Sequence, residues 1–218
     1  MDMGIKLIIF DFDGTLGDTR HNIVRTMQMT MAELGLPMRT DAECASTIGL
    51  PLADCFRALF PDLQYERIQQ CADTYRKIFS ENLLSFKPHA FPSVLETLSL
   101  LKKQGYTLTI ASSRSRASLI ELTKDLGMKD SISYVIGADD VVKAKPNPDP
   151  ILKILAAMGF DASETLVVGD MAVDILMGVN AGVKTCGVTW GNGSRKELEN
   201  AGADYIIDKM EDIIEIIK

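Results

Sequence analysis

Short apolar runs rich in β-branched residues recur along the chain and are separated by stretches with helical periodicity. Runs of this kind are typical of strands buried on both faces of a parallel sheet. The six runs are IKLIIFD (5–11), YTLTIAS (106–112), ISYVIG (132–137), TLVVGD (165–170), VKTCGVTW (183–190) and the weaker ADYIID (203–208). Because strand and helix alternate, the sequence predicts an α/β fold whose core is a Rossmann-like, doubly wound parallel sheet with helices on both faces.

One long interval after the first strand breaks this alternation. From residue 18 to residue 87 the sequence shows only helical periodicity, in HNIVRTMQMTMAELG, PLADCFRALF and YERIQQCADTYRKIFSENLL. We interpret this interval as an all-helical cap domain inserted into the core. The predicted division is therefore a first core segment over 1–17, the helical cap over 18–87, and the remaining core over 88–218.

Composition and charge exclude several classes of protein. A chain of 218 residues with 46% hydrophobic residues can bury a full core, and its net charge of −7 argues against nucleic acid or an anionic membrane as partner. The N-terminus lacks an apolar leader segment, and no run approaches the roughly 20 apolar residues of a membrane helix, so we expect a cytoplasmic protein. The four cysteines form no C-x-x-C pair and are expected to be reduced, buried thiols.

Two aspartates follow the first predicted strand directly. Side chains two apart on a strand point the same way, so Asp11 and Asp13 can face one site while Phe12 packs on the opposite side. Gly14 permits a tight turn immediately after them. In open α/β sheets the ligand crevice lies at the carboxyl ends of the strands, which is where this pair is placed.

Further polar residues are predicted at the same edge of the sheet. TLVVGD brings Asp170 there, and Asp174 follows one helical turn later. Three or four carboxylates without histidine or cysteine indicate an oxygen-ligand site for a hard cation, most plausibly Mg²⁺, and Mg²⁺ implies a phosphate nearby. The candidates for binding phosphate oxygens are Ser112, Ser113 and Lys145. Each of these residues alone has a structural explanation, such as a turn, a helix cap or a solvated charge, and only their joint occurrence favours function.

The set of motifs resembles the haloacid dehalogenase superfamily, and within it the phosphatases that carry a small helical cap. The motifs are DFDGTLGDT, ASS, AKPNPDP and VVGDMAVD, and the resemblance covers nearly the whole chain. It implies that Asp11 is the nucleophile that forms an aspartyl-phosphate and that Asp13 is the general acid and base. It further implies that Ser112 and Lys145 hold the phosphoryl oxygens. The implied ligands of Mg²⁺ are Asp11, the backbone carbonyl of Asp13, Asp170 and Asp174.

Two positions depart from the usual motifs. Met171 occupies a position where a small polar residue is common, which affects the surroundings of the metal rather than its ligands. The second motif continues with Arg114 and Arg116 instead of the usual lysine or asparagine. Either arginine could contact substrate, and we favour the interpretation that they cap the next helix.

The expected partner is a small phosphorylated metabolite, held by a monomer or homodimer. Gly14, Thr15, Ser113 and Arg20 are candidate substrate-binding residues. Because the cap is expected to select the leaving group, Arg20, Arg25 and the loop TIGLPL (47–52) are the candidates for facing it. The overall pattern is similar to that of phosphoglycolate phosphatases, with inorganic pyrophosphate as a nearby possibility. No residue selects between these substrates.

Two other functions are less well supported by the sequence. The similar sugar-phosphate mutases, such as β-phosphoglucomutase, usually have D-x-D-G-V and a histidine ten residues after the second aspartate, whereas this chain has D-x-D-G-T and Ile23. A non-catalytic phosphoacceptor similar to receiver domains would be shorter, would lack the helical insertion, and would carry its phosphorylated aspartate on a later strand.

Overall fold

The computed structural model describes residues 4–82 and 87–217. The strands are β1 (Leu7–Phe10), β2 (Gly17–Asp18), β3 (His89–Ala90), β4 (Thr107–Ala111), β5 (Tyr134–Ile136), β6 (Thr165–Gly169), β7 (Lys184–Val188) and β8 (Tyr205–Ile207). The helices are α1 (Arg20–Glu33), α2 (Asp41–Ala45), α3 (Leu52–Leu59), α4 (Tyr65–Asn82), α5 (Val94–Lys103), α6 (Arg116–Asp125), α7 (Asp149–Met158), α8 (Ala172–Ala181), α9 (Arg195–Asn200) and α10 (Ile213–Ile216).

Six strands form one parallel sheet in the order β5-β4-β1-β6-β7-β8. The chain winds from β1 outward through β4 to β5, then crosses to β6 and winds the other way. This is the predicted doubly wound arrangement, and all six predicted strands are confirmed. The winding direction changes between β1 and β6, so the crevice expected for a ligand lies at the carboxyl ends of these two strands.

The central strand β1 is buried on both faces, which explains its uninterrupted apolar sequence. Ile8 and Phe10 pack in one hydrophobic cluster together with residues of α5, α6 and the cap, while Leu7 and Ile9 pack in a second cluster with α7 and α8. All four side chains are fully buried. Helices therefore cover both faces of the sheet, as the alternation of strand and helix predicts.

Helices α1 to α4 lie between β2 and β3, and we call them the cap. Apolar residues at helical spacing in α1 and α4 are buried and hold the cap together: Met27, Met31, Ile68 and Tyr75. The five-residue helix α2 was not predicted, and it begins with a capping box in which Thr40 and Glu43 bond reciprocally. The last two residues of the third predicted helical stretch, 83 and 84, lie outside the described residues.

A short antiparallel ribbon connects the cap to the core. In it Gly17 pairs with Ala90 and Asp18 pairs with His89. The chain thus leaves the core and returns to it through adjacent strands. Among residues 4–82 and 87–217, the structure has no helix that is both long enough and apolar enough to cross a membrane.

Candidate active site

Asp11 and Asp170 lie side by side at the change of winding direction. Asp11 follows β1 and its backbone N–H still donates to the carbonyl of Val168 in β6 (2.8 Å), while Asp170 follows β6 itself. Both side chains are buried, with 8% and 1% of the residue surface exposed. Two carboxylates from adjacent strands are thus brought together out of bulk water.

Lys145 joins the nucleophile candidate to the first turn of α8. Its Nζ donates to Oδ1 of Asp11 (2.5 Å) and to Oδ1 of Asp174 (2.7 Å), and only 3% of its side chain is exposed. Burial alone would lower the pKa of Lys145, but the charges of Asp11 and Asp174 outweigh it and raise this pKa above its usual value. Lys145 is therefore a buried, permanently charged ammonium group directly against Asp11.

The position of Asp170 is fixed by three donors. The backbone N–H and the Nδ2 of Asn192 donate to its Oδ2 (2.7 and 3.2 Å), and the Thr15 hydroxyl donates to its Oδ1 (3.2 Å). Burial and the charge of Asp174 nevertheless raise the pKa of Asp170 to about 7. Gly14 makes this approach possible, because it has φ of +93° and a Cβ there would overlap the Asp170 carboxylate.

Asp11, Asp170 and Asp174 form a buried group that could hold a metal ion. Each offers a carboxylate oxygen, and these oxygens lie within 4.8 Å of one another. Three carboxylates and the single ammonium of Lys145 leave two net negative charges at the cluster, which a divalent cation would balance. An all-oxygen donor set with this charge fits Mg²⁺, so the residues present suit the predicted cofactor.

The Asp13 side chain is turned away from this cluster. The Nε of Arg114 donates to both of its oxygens (2.8 and 2.7 Å), and the Thr19 hydroxyl donates to its Oδ1 (2.6 Å). The Arg114 guanidinium also lies over the ring of Phe79 in the cap, 5.0 Å from the ring centroid. Arg114 therefore links the general-acid candidate of the core to a cap helix.

A cavity of about 490 Å³ lies between this cluster and the cap. The cap contacts the core at its edge, where the Ser113 hydroxyl donates to the backbone carbonyl of Gly49 (2.6 Å). Met171 packs at the same place, since a Cβ on Gly49 would press on its sulfur atom. The residue that departs from the family motif thus contacts the cap.

The structure brings most of the predicted site residues to one cavity. Its wall includes Asp11, Asp13, Ser112, Ser113, Asp170 and Asp174. The backbone N–H of Ser112 bonds to Ile136 in the neighbouring strand (3.1 Å), which leaves its hydroxyl as the group able to meet a phosphate. Thr15 bonds to Asp170 rather than lining the cavity.

Arg20 is not brought to the cavity. It is the first residue of α1, its side chain is exposed, and it is not part of the cavity wall. The residues that line the cavity from this helix are Ile23 and Met27, which lie one and two turns further along it.

Sequence reasoning missed two groups that shape the site. Arg114 was interpreted as a helix cap, but Ser115 caps α6, with its hydroxyl accepting from the backbone N–H of Ser118 (3.4 Å), and Arg114 pairs with Asp13. Asn192, the second partner of Asp170, lies in the loop after β7. Its position beyond the carboxyl end of β7 could have indicated it, because the other site residues also follow the carboxyl ends of strands.

A buried cluster of three carboxylates, one of which pairs with a buried lysine, at the carboxyl ends of parallel strands and under a helical cap, suits a divalent cation and a phosphoryl group. The family model for haloacid dehalogenase-like hydrolases matches residues 8–188. The chain therefore belongs to this family, as the resemblance of its motifs indicated.

Relatives and solved structures agree with this assignment over nearly the full length. The chain is 37% identical to the probable phosphatase IndB of Dickeya dadantii, over 95% of this chain and 91% of IndB. It is 34% identical to the pyrophosphatase PpaX of Anoxybacillus flavithermus, over 99% and 98% of the two chains. A predicted phosphoglycolate phosphatase from Haemophilus somnus has the same fold, with a TM-score of 0.89, 25% identity and 98% of each chain covered.

Proposed function

We propose that this protein is a Mg²⁺-dependent phosphatase that hydrolyses a small phosphate monoester through an aspartyl-phosphate on Asp11. The observation that carries the proposal is that Lys145 contacts Asp11. Asp11 lines the cavity under the cap, together with Asp170 and Asp174. Family membership and a relative named as a phosphatase support the reaction class.

The chemistry divides into two in-line displacements at phosphorus. In the first, a carboxylate oxygen of Asp11 attacks, the P–O bond to the leaving group breaks, and the alcohol oxygen takes a proton from Asp13. In the second, Asp13 takes a proton from water, the water oxygen attacks phosphorus, and Asp11 is released with inorganic phosphate. Lys145 and the Ser112 hydroxyl would hold the phosphoryl oxygens throughout.

The negative charges on Asp11 and on the phosphate would repel each other without cations nearby. Lys145 supplies one positive charge within hydrogen-bond distance of Asp11. When bound by Asp11, Asp170 and Asp174, Mg²⁺ would neutralise further charge on the phosphoryl group.

The role of Asp13 requires its side chain to move. In the present conformation both oxygens of Asp13 accept from Arg114, and its Oδ1 also accepts from Thr19. One oxygen must turn away from the guanidinium toward the phosphate before it can donate a proton. Asp13 lines the cavity, so a rotation about its side-chain bonds is the movement required.

Hydrolysis is favoured over sugar-phosphate mutase activity. Ile23, which stands where the mutases usually have a histidine, is 7% exposed and forms part of the cavity wall. An apolar side chain there can neither donate nor accept a proton. For the substrate, phosphoglycolate follows from the overall pattern and pyrophosphate is the activity named for PpaX, so both belong in any test.

The test is phosphate release by the purified full-length chain with Mg²⁺, on phosphoglycolate, pyrophosphate, sugar phosphates, alkyl phosphates and nucleotides. We expect release from at least one substrate and none from Asp11→Asn, which removes the nucleophile while keeping its size. A covalently phosphorylated protein should be visible by intact mass in the wild type during turnover and absent in the variant.

A matched control is Asp208→Asn, because Asp208 is an exposed carboxylate that pairs with Arg195 (2.6 Å) and is not part of the cavity wall. This variant should retain activity within a few fold. Equal activity of Asp11→Asn and wild type would contradict the proposed mechanism, as would the complete absence of phosphate release.

A further inference from the structure

The part of the cavity that faces the leaving group is apolar. The cap contributes Ile23, Met27, Ile48, Leu50, Tyr75 and Phe79 to its wall. These side chains come from α1, α4 and the loop after α2, and Arg76 and Ser80 of α4 lie beside them in the wall. Polar residues of the core form the opposite end, where the phosphate would lie.

The positive charges that line the cavity are already paired. Arg114 is paired with Asp13, and Arg76 with Asp73 on its own helix (2.6 Å). Both arginines in the described part of the wall thus already contact a carboxylate, the Arg76–Asp73 pair being an exposed one. Glu121 and Asp139 in the same wall add negative charge, which would disfavour a carboxylate or a second phosphate.

The volume of the cavity favours a leaving group larger than two carbons. A volume of about 490 Å³ lies within the range of pockets that bind drug-sized molecules. A two-carbon leaving group such as glycolate would leave most of it unfilled. The cap is in contact with the core through Ser113 and Gly49, so this volume belongs to a docked arrangement of the two parts.

One polar group remains at the apolar end. The Nη2 of Arg114 is buried and has no hydrogen-bond partner among the described residues. Nη2 is therefore a donor that an acceptor oxygen of the leaving group, such as a hydroxyl or carbonyl oxygen, could satisfy.

From these observations we propose that the leaving group is a neutral alcohol with an apolar body, and that Ile48, Leu50 and Phe79 select it. The inference rests on the proposed phosphatase function and narrows its substrate class. It places phosphoglycolate and pyrophosphate, both of which carry a second anionic group, among the poor substrates.

The test is a series of straight-chain alkyl monophosphates, from ethyl through butyl to hexyl. Their leaving alcohols have nearly equal acidity, so differences in kcat/KM report contacts with the cavity rather than chemical reactivity. Each methylene buried in an apolar pocket is expected to raise kcat/KM about three- to fourfold, which makes the hexyl-to-ethyl ratio on the order of 100-fold. Hexyl phosphate should also be hydrolysed faster than phosphoglycolate and pyrophosphate.

Two variants test whether residues of the cap determine the hexyl-to-ethyl ratio. Leu50→Asn places a polar group in the apolar wall and should reduce the hexyl-to-ethyl ratio by at least several fold. Met38→Asn is the matched control, since Met38 is a cap residue that is 58% exposed and not part of the cavity wall, and it should leave the ratio unchanged. Because the ratio is measured within one preparation, partial unfolding of a variant cancels.

The outcomes separate the two proposals. Phosphate release with a flat alkyl series, or with phosphoglycolate or pyrophosphate ahead of hexyl phosphate, would overturn the inference and leave the phosphatase proposal standing. A Leu50→Asn ratio equal to that of the wild type would also overturn it. No phosphate release from any substrate would remove both proposals together.

Discussion

Replacing Lys145 with methionine should strongly destabilise the protein. The change keeps a flexible side chain of similar length in the buried site but removes the ammonium group that donates to Asp11 and Asp174. Asp11 and Asp174, which are buried next to Asp170, would then lose the lysine that forms an ion pair with each of them. The perturbation is therefore electrostatic, with little loss of apolar contact.

The expected size follows from these contacts. Hydrogen bonds to charged groups contribute about 1.5–3 kcal/mol each, and removing one partner from a buried ion pair costs about 3–5 kcal/mol. We take about 4 kcal/mol as the loss in the free energy of unfolding. That is a large part of the 5–15 kcal/mol typical of folded proteins, and it should lower the urea midpoint by roughly 1–2 M.

The measurement is urea unfolding followed by circular dichroism, with EDTA present, at pH 8. This pH lies above the pKa of about 7 for Asp170 in the wild type. Losing the Lys145 charge would raise the pKa of both Asp170 and Asp11, so proton uptake at the cluster offsets part of the repulsion in the variant. Adding Mg²⁺ should stabilise Lys145→Met more than the wild type, because the variant cluster carries one more net negative charge.

A surface ion pair supplies the control. Lys184 pairs with Asp204 (2.9 Å) but 53% of its side chain is exposed, so Lys184→Met should cost only about 0–1 kcal/mol. If Lys145→Met and Lys184→Met lose the same free energy in EDTA, the buried lysine does not balance the carboxylates and the reasoning is refuted.

Two further predictions concern local geometry and thiol chemistry. Gly14→Ala should reduce phosphatase activity at least tenfold and lower the melting temperature, because the added Cβ would overlap Asp170 and the backbone has a left-handed φ; unchanged kinetics would contradict this placement. Burial raises the pKa of Cys44 to about 11 and those of Cys55 and Cys186 to about 12, so the native protein at pH 8 should react with a thiol reagent far more slowly than the urea-unfolded chain. Rapid labelling of the native thiols would show that these side chains are accessible.

The sheet could be predicted from the sequence because its strands are buried on both faces. That burial requires unbroken apolar runs, which is why β1, β4 and β6 stand out, and even the weak run around β8 is a strand. The ribbon of β2 and β3 could not be predicted, since two residues per strand carry no pattern. The helix α2 was missed for a similar reason, as five residues are too few for helical periodicity to be evident.

The sequence could predict those site residues that directly follow a strand of the parallel sheet. Asp11 and Asp170 directly follow parallel strands, so their meeting at one edge of the sheet follows from topology. The pairing of Asp13 with Arg114 does not, because it depends on side-chain rotation and on the neighbouring Phe79 from the cap. Arg20 shows the same limit, since its place at the exposed first residue of α1 does not reveal that its side chain stays outside the cavity.

The ribbon of β2 and β3 has a consequence for how such proteins diversify. Because Gly17 pairs with Ala90, the two ends of the inserted segment are neighbours. The strands of the core can therefore pair in the same way whatever the length or shape of the insertion. A cap of another size could be exchanged at this junction without altering the strand order that holds Asp11 and Asp170. Thr19 lies just beyond the junction and bonds to Asp13, so an exchange would have to retain it for the acid to keep this contact.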